Sequence, residues 1–445
     1  MQETLRSESV YTRLARIAEL ARTHPERAFS SIHHVIDDAL LKAAHEATRK
    51  DGAVGVDGET SAQFGATLDE RLARLCKLFT RGEYRAPAVR RAHIPKGDGR
   101  ATRPIGIPTF EDKVLQRAVA MVVSAIYEQD FSPCSYGFRA GRSAHDALHA
   151  VREALMQMRS GVVVELDIER FFDTLDHRTL RSFLDRRVTD GVIRRAIDKW
   201  LAAGVLEGGQ LHYPDEGTPQ GGVISPLLAN IYLHEVLDVW FEREVKPRLK
   251  GRGVLVRYAD DAVLVFERED DARRVMEVLP KRFARFGLRL HPEKTRLVPF
   301  AQPSQDDHDG DGASPGSFDF LGFTHHWARS LRGYWVAKQR TAKDRLSRAL
   351  RRITAWCSAN RHEPVVAQRD ALARKLHGHY GYYGITGNYE ALARFRHEVE
   401  RIWCKWLARR SWAAKGWEWF QRLLERLPLP NPVAVHSIFR RSAKA

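Results

Sequence analysis

The chain has 445 residues, of which 43% are hydrophobic, so it is long enough for two or three domains with buried cores. No apolar run reaches the roughly 20 residues that span a bilayer, and the N-terminus lacks a signal-peptide core, so we expect a cytoplasmic protein. The 72 Lys and Arg residues exceed the 56 Asp and Glu residues and give a net charge of +16, which favours nucleic acid as the partner over an anionic membrane. The four cysteines form no C-x-x-C pair, so neither a zinc site nor a disulfide framework is indicated.

The first part of the chain is predicted to be helical and then to form a basic hairpin. Residues 1–50 carry apolar side chains at helical spacing, and we expect residues 1–85 to be a helical N-terminal extension. Residues 89–108 are typical of two short strands joined by a glycine turn. Lys96 and Arg103 lie on or near this hairpin. It could fold over a triphosphate, or it could be a solvated basic face.

The segment that follows offers basic residues and then an acid in an apolar strand. Residues 135–143 lead into a predicted helix, and their Arg139 and Arg142 could contact a phosphate backbone. A buried strand is predicted over residues 162–168, with Asp167 near its end. One acid in such a strand could simply pair with a core arginine.

A glycine-rich loop and an acidic hairpin occupy the centre of the chain. Gln220 lies in Pro-Gln-Gly-Gly, where the backbone can approach a ligand closely, and the Ser225-Pro226 pair is typical of a helix start. Residues 253–266 are β-branched or aliphatic on both sides of Asp260 and Asp261, which predicts a strand, an acidic turn and a second strand.

The acidic pair allows two interpretations. Asp260 and Asp261 could merely form the turn, since aspartate favours that geometry. Alternatively, they could bind a divalent metal, because buried carboxylates need a cation. A second apolar strand that delivers Asp167 favours a shared metal site.

The last third of the chain is predicted to be helical. Residues 302–317 form a polar, glycine-rich insertion that we expect to be a mobile loop. Residues 338–425 have a helical pattern, followed by a tail over 426–445. Arg348 and Arg352 belong to an arginine-rich face that is either solvated surface or a nucleic-acid groove. The interleaved tryptophans are expected to be core residues more than stacking platforms, and residues 380–388 to separate two helices.

The order of these segments resembles the successive blocks of reverse transcriptases, and most closely the proteins encoded by bacterial group II introns. The matching blocks are Ile94-Pro-Lys with Arg103-Pro-Ile-Gly-Ile-Pro, Ser135-Tyr-Gly-Phe-Arg, Leu166-Asp-Ile with Phe171-Phe-Asp, Thr218-Pro-Gln-Gly, Tyr258-Ala-Asp-Asp, Gly287-Leu with Glu293-Lys-Thr, and Phe320-Leu-Gly-Phe. The upstream Gly55-Val-Asp-Gly block and the helical segment from about 340 to 420 resemble that group's maturase, or thumb, domain. Blocks in this order over residues 50–420 make chance improbable.

The resemblance implies a right-hand polymerase. Its α/β fingers and palm would cover residues 86–337, with an antiparallel palm sheet packed by helices, and an all-α thumb would follow. Asp167 and Asp260 would hold two magnesium ions, with Asp261 as a ligand or a support and the backbone of Ile168 as a further ligand. Adjacent strand residues face opposite sides, so Asp261 is the less certain ligand.

The resemblance also implies the nucleotide contacts and the product. Lys96 and Arg103 would contact the triphosphate, Gln220 the nucleotide or template, and Lys294 nucleic acid near the site. Phe172 would be the bulky residue that excludes a ribose 2′-hydroxyl, so the product would be DNA.

The implied partners are an RNA template, intron RNA, a DNA primer or target and deoxynucleoside triphosphates. Arg139, Arg142, Arg348 and Arg352 are the expected nucleic-acid contacts. The family role would be to copy RNA into DNA, assist splicing and support retrohoming. We expect no second-strand nicking, since no Cys- and His-rich endonuclease region is present. A maturase with an idle polymerase, or a related enzyme domesticated for phage defence or a CRISPR system, stays an alternative.

Overall fold

The computed structural model describes residues 2–95, 102–159, 161–207, 210–212, 221–304, 316–410 and 416–436. The helices are α1 (Gln2–Thr23), α2 (Asp38–Ala47), α3 (Ser61–Gly65), α4 (Leu68–Thr80), α5 (Phe110–Tyr127), α6 (Ala144–Met158), α7 (His177–Asp185), α8 (Gly191–Leu201), α9 (Ser225–Leu233), α10 (Glu269–Ala284), α11 (Lys343–Ala359), α12 (Val365–Tyr383), α13 (Tyr389–Ala408) and α14 (Gly416–Arg426). The strands are β1 (Val89–Pro95), β2 (Thr102–Ile107), β3 (Val162–Leu166), β4 (Val205–Glu207), β5 (Gln210–His212), β6 (Gly253–Tyr258), β7 (Asp261–Phe266), β8 (Arg296–Pro299), β9 (Phe318–Phe320), β10 (Phe323–Arg329) and β11 (Trp335–Thr341).

The chain divides into two compact units. Unit 1 comprises Met1–Ala147 and Leu166–Leu297, and unit 2 comprises Leu148–Glu165 and Val298–Ala445. Mixed α/β structure is therefore followed by a helical C-terminal region, as the sequence predicts.

Helix α5 forms the centre of unit 1. Thr109 caps its start by accepting a hydrogen bond from the amide of Asp112, and the helix packs against α1, α2 and α9. Its apolar stripe is fully buried, because seven of its side chains have no exposed area: Val114, Leu115, Ala118, Val119, Val122, Val123 and Ile126. The N-terminal helices thus share their core with the rest of unit 1.

The predicted basic hairpin is present as β1 and β2, which pair antiparallel up to Pro95 and Thr102. It belongs to a four-stranded sheet of order β2-β1-β4-β5, in which β1 and β4 run parallel. Helix α9 begins at Ser225 with proline in its first turn, as predicted, and continues into a π-helix over His234–Asp238. A second four-stranded sheet has the order β6-β7-β3-β8.

Unit 2 combines the three-stranded sheet β11-β10-β9 with helices α11–α14. The helices enclose an apolar core in which Trp403, Leu372 and Phe395 are buried, and Trp356, Trp406 and Trp419 pack against it partly buried. Trp417 is exposed, and Trp412 lies outside the described residues.

Helix α12 extends into the segment that the sequence predicts to separate two helices. Residues 380–383 belong to α12, so the separation of the two helices covers only residues 384–388, because Tyr380 is buried in the core and keeps the helix continuous. The predicted mobile insertion at 302–317 lies largely outside the described residues. Across the part of the chain that is described, no helix is both long and apolar enough to cross a membrane.

Candidate active site

The acidic segment forms a tight turn between β6 and β7. The sequence predicts this turn but places it at Asp260 and Asp261. Tyr258 pairs with Asp261, so the two turn residues are Ala259 and Asp260, and Asp261 begins β7. Ala259 has a φ of +56°, a conformation that an alanine adopts only at a cost. The surrounding structure must therefore hold this turn in place.

The turn places its two carboxylates in different environments. Asp260 is half-buried, whereas Asp261 is the exposed first residue of β7. Burial raises the pKa of Asp260, and the negative charge of Asp167 raises it further, whereas the charge of Arg103 lowers it. Asp167 and Arg103 are thus close enough to Asp260 for their charges to shift its pKa.

Asp167 is held by the turn that precedes β8. Its carbonyl oxygen accepts hydrogen bonds from the amide of His291 at 2.9 Å and the hydroxyl of Thr295 at 3.2 Å, and its amide donates to that hydroxyl at 3.3 Å. The ammonium of Lys294 lies 3.1 Å from a carboxylate oxygen of Asp167. The structure therefore brings Lys294 directly to the predicted site.

The backbone of Ile168 is oriented by the same turn. Ile168 bridges antiparallel to Leu290, while the amide of Glu169 donates to the carbonyl of Arg289. The hydrogen bonds on both sides of the bridge mark Ile168 and Leu290 as a non-hydrogen-bonded pair, so the Ile168 carbonyl points away from Leu290.

The two phenylalanines after Asp167 have different surroundings. Phe171 is buried and contacts Tyr232, whereas Phe172 is only half-buried, with its ring centroid 5.3 Å from that of Phe171. Phe171–Asp173 form a short 3₁₀-helix, and Arg170, just before it, has a φ of +46°. Phe172 is therefore partly exposed to solvent and lies against the buried ring of Phe171.

A buried arginine lies beneath the acidic turn. Arg257 and Asp238 have fully buried side chains. All five donors of the guanidinium are used: by the Asp238 oxygens at 2.7 and 2.5 Å, the amide oxygen of Asn230 at 3.0 Å, the hydroxyl of Ser135 at 2.8 Å and the carbonyl of Ala259 at 2.9 Å. Burial alone would raise the pKa of Asp238, but the adjacent Arg257 lowers it below its ordinary value. Arg257 is a charged residue inside the apolar strand β6, and this was the sequence signal for the network. We did not predict the network from the sequence.

Glycine at position 137 lets a second segment reach the turn. A Cβ there would lie 2.4 Å from the backbone nitrogen of Ala259, and the Gly137 carbonyl accepts a hydrogen bond from Asn230 at 2.7 Å. No larger residue fits without displacement of the backbone.

The glycine-rich loop is anchored at its end. Gln220 lies outside the described residues, as does Lys96, but Gly221 has a φ of +115°, and a Cβ there would meet the carbonyl of Gly106 at 2.5 Å. The amide of Ile224 donates to the side chain of Gln116 at 3.3 Å.

Gln116 is in turn held by a buried acid. Its amide donates to Asp112 at 3.0 Å, and Trp200 donates to the same carboxylate at 2.7 Å, together with the hydroxyl of Tyr84. Burial raises the pKa of Asp112 to about 6. This chain of contacts links Asp112 to the loop that carries Gln220.

The predicted nucleic-acid arginines differ in exposure. The side chain of Arg139 is buried, pairs with Glu128 at 3.0 Å and donates to backbone carbonyls. Arg142 is exposed. In unit 2, Arg348 pairs with Asp344 at 3.2 Å and Arg352 is exposed on the same helix, α11.

The donor set suits magnesium. Within the described ranges, no three His, Cys, Asp or Glu side chains form a group that could hold a metal ion. Magnesium, however, is usually bound by one or two carboxylates together with substrate phosphates, and carboxylate and carbonyl oxygens are its preferred ligands. Asp167, Asp260 and the Ile168 carbonyl fit that pattern.

Two carboxylates from separate segments, Asp167 and Asp260, thus lie within electrostatic range of each other and of Arg103 on the basic hairpin. Residues 94–325 match the family Reverse transcriptase (RNA-dependent DNA polymerase). The chain belongs to this family, and its relatives place it in the group II intron type. Membership of this family implies the use of a divalent metal, an RNA template and nucleotide substrates.

Three relatives illustrate the similarity. Protein YkfC of Escherichia coli (strain K12) is 33% identical over 322 residues, which cover 63% of this chain and 83% of YkfC. Group II intron-encoded protein LtrA of Lactococcus lactis subsp. cremoris is 33% identical over 280 residues, 60% of this chain and 46% of LtrA. Nuclear intron maturase 2, mitochondrial, of Arabidopsis thaliana is 27% identical over 177 residues, 31% of this chain and 24% of that protein. The chain thus matches less than half the length of LtrA.

Proposed function

We propose that the chain copies RNA into DNA at the site formed by Asp167 and Asp260. The observation that supports this most directly is the acidic turn, which holds Asp260 within electrostatic range of Asp167, a residue from a distant part of the sequence. The two carboxylates and the Ile168 carbonyl would hold two magnesium ions, with Asp261 as a ligand or a support. Bound magnesium would lower the pKa of the primer 3′-hydroxyl and neutralise charge on the triphosphate.

The remaining residues would bind and orient the substrates. Arg103, exposed on β2, and Lys96 would contact the triphosphate, and Gln220 the nucleotide or the template. Phe172 would exclude a ribose 2′-hydroxyl by its bulk. Lys294, which already contacts Asp167, would carry positive charge to the phosphates at this edge of the site.

The palm, fingers and thumb assignments follow from the same proposal. Unit 1 contains the residues of the site, and helices α11–α14 of unit 2 would form the thumb or maturase region. Arg142, Arg348 and Arg352 would contact nucleic acid, whereas for Arg139 we propose a structural role as an anchor of its own loop.

The intron role rests on the relatives. LtrA is named as a group II intron-encoded protein, so we propose that this chain binds an intron RNA, assists its splicing and supports its retrohoming. Its net charge of +16 suits such a polyanionic partner.

The test is Asp260→Ala in a primer-extension assay on an RNA template. Extension should be lost while RNA binding is retained, because Asp260 belongs to the turn and not to the basic surfaces. Retained synthesis would refute the assignment. A splicing assay with the same variant separates the two activities: splicing should survive if RNA binding alone supports it.

A further inference from the structure

An aromatic ring stands in solvent next to the acidic turn. Phe138 has 63% of its area exposed, and its backbone has a φ of +56°, which is unfavourable for a bulky residue. Neither property is expected of a phenylalanine unless the surroundings impose it. Such strain at a site is typical of functional positions.

The residue before Phe138 is fixed to the turn itself. Gly137 lies so close to Ala259 that a Cβ would reach 2.4 Å from its backbone nitrogen, and its carbonyl accepts a hydrogen bond from Asn230 at 2.7 Å. Asn230 also accepts from Arg257 at 3.0 Å. One side of Phe138 is therefore held by the same network that supports Asp260.

The residue after Phe138 is held just as firmly. The buried guanidinium of Arg139 donates to the carbonyls of Ser132 at 2.8 Å and Ser135 at 2.9 Å, and pairs with Glu128 at 3.0 Å. Both neighbours of Phe138 are therefore anchored, while its own side chain is exposed.

The ring is placed beside the residue that closes the turn. Its centroid lies 6.4 Å from that of Tyr258, with the planes tilted by 40°. Tyr258 pairs with Asp261 and is two residues from Asp260. Phe138 and Tyr258 thus form an aromatic pair beside the turn that carries Asp260, the residue that serves the primer terminus in the proposed function.

We infer that Phe138 stacks on the terminal nucleotide of the primer and holds the 3′ end at Asp260, an inference that rests on the proposed function. Aromatic stacking suits this task because every base has a π face, so the contact works at any sequence. The anchored loop pre-organises the ring and reduces the ordering that binding requires.

The experiment measures the affinity for an RNA template annealed to a DNA primer, with either an intact or an abasic 3′-terminal nucleotide. Phe138→Ala should weaken binding of the intact primer by about tenfold, and the abasic terminus should weaken the wild type by a similar factor. The two changes together should cost no more than one alone, because they remove the same contact.

Phe138→Gly distinguishes a loss of stacking from a loss of folding stability. Glycine relieves the positive φ, so this variant should unfold at an unchanged or higher temperature and yet bind the primer as weakly as Phe138→Ala. Phe138→Tyr should keep wild-type affinity. Tyr11→Ala, which removes an aromatic ring with the same 63% exposure, is the matched control and should change nothing.

The inference would be overturned if Phe138→Ala and the abasic primer each weakened binding and their effects added. A wild-type affinity of Phe138→Ala for the intact primer would also overturn it. The same holds if the effect of Phe138→Ala failed to add to that of an abasic nucleotide in the template, instead of one in the primer. These binding measurements need no catalysis, so they are separate from the Asp260→Ala test, in which retained synthesis counts against the proposed function and not against stacking.

Discussion

The guanidinium of Arg257 donates to the carbonyl oxygen of Ala259 at 2.9 Å and so ties the acidic turn to a buried ion pair. Asp238 is the only negative side chain among the five hydrogen bonds of that guanidinium. The position of Asp260 is thus linked to the integrity of the core.

Asp238→Ala should destabilise the protein by about 3–5 kcal/mol, because it leaves the Arg257 charge buried without its negatively charged partner. Urea unfolding of the purified variant measures this loss. The matched control is Glu242→Ala, which breaks an exposed pair with Lys246 and should cost at most about 1 kcal/mol. Equal losses from the two variants would contradict the role of the buried pair.

Gly137→Ala should lower the primer-extension rate by about 100-fold, because the new Cβ, at 2.4 Å from the nitrogen of Ala259, must displace the turn. Single-nucleotide incorporation measures it. Gly378→Ala, in α12 with open space around the added carbon, is the control and should leave the rate unchanged. An unimpaired Gly137→Ala enzyme would show that the close approach is not required.

Asp112 should make stability depend on pH. Its pKa is raised from 3.8 to about 6 in the folded protein, so between these values the native state holds a proton that the unfolded chain has lost. Stability from this group is therefore present at low pH and falls as the pH rises through that window, by about 3 kcal/mol in total. Asp112→Asn does not titrate and should lack this fall. Urea unfolding of both proteins at several pH values gives the difference, and parallel pH profiles would contradict it.

Phe172→Val should relax the choice of sugar. Removing the half-buried ring opens space for a 2′-hydroxyl, and the preference for deoxynucleotides should drop by about 100-fold in competing incorporation assays. Phe171→Leu is the control, since Phe171 is buried: it should reduce stability and leave the preference intact. An unchanged preference in Phe172→Val would remove Phe172 from this role.

The local secondary structure of the site could be predicted from the sequence, but the contacts that hold the site in place could not. Runs of β-branched and aliphatic residues on both sides of the acidic pair predicted β6, β7 and a turn between them, and the Ser225-Pro226 pair predicted the start of α9. Helical periodicity likewise predicted the C-terminal region.

The supporting contacts could not be predicted because they join distant positions. Arg257 meets Asp238, Asn230 and Ser135 only in the folded chain, and nothing in the sequence of residues 135–139 indicates that Phe138 is exposed while Arg139 is buried. Long-range packing and backbone strain decide these details.

We propose that Asp167 and Asp260 jointly hold the metal ions of nucleotide transfer. The most direct measurement is electron paramagnetic resonance of manganese bound to the protein with an RNA template, a dideoxy-terminated primer and the next deoxynucleoside triphosphate. We expect tightly bound manganese in the wild type and its loss in both Asp167→Asn and Asp260→Asn, with nucleic-acid binding retained. Unchanged manganese binding in either variant would contradict it.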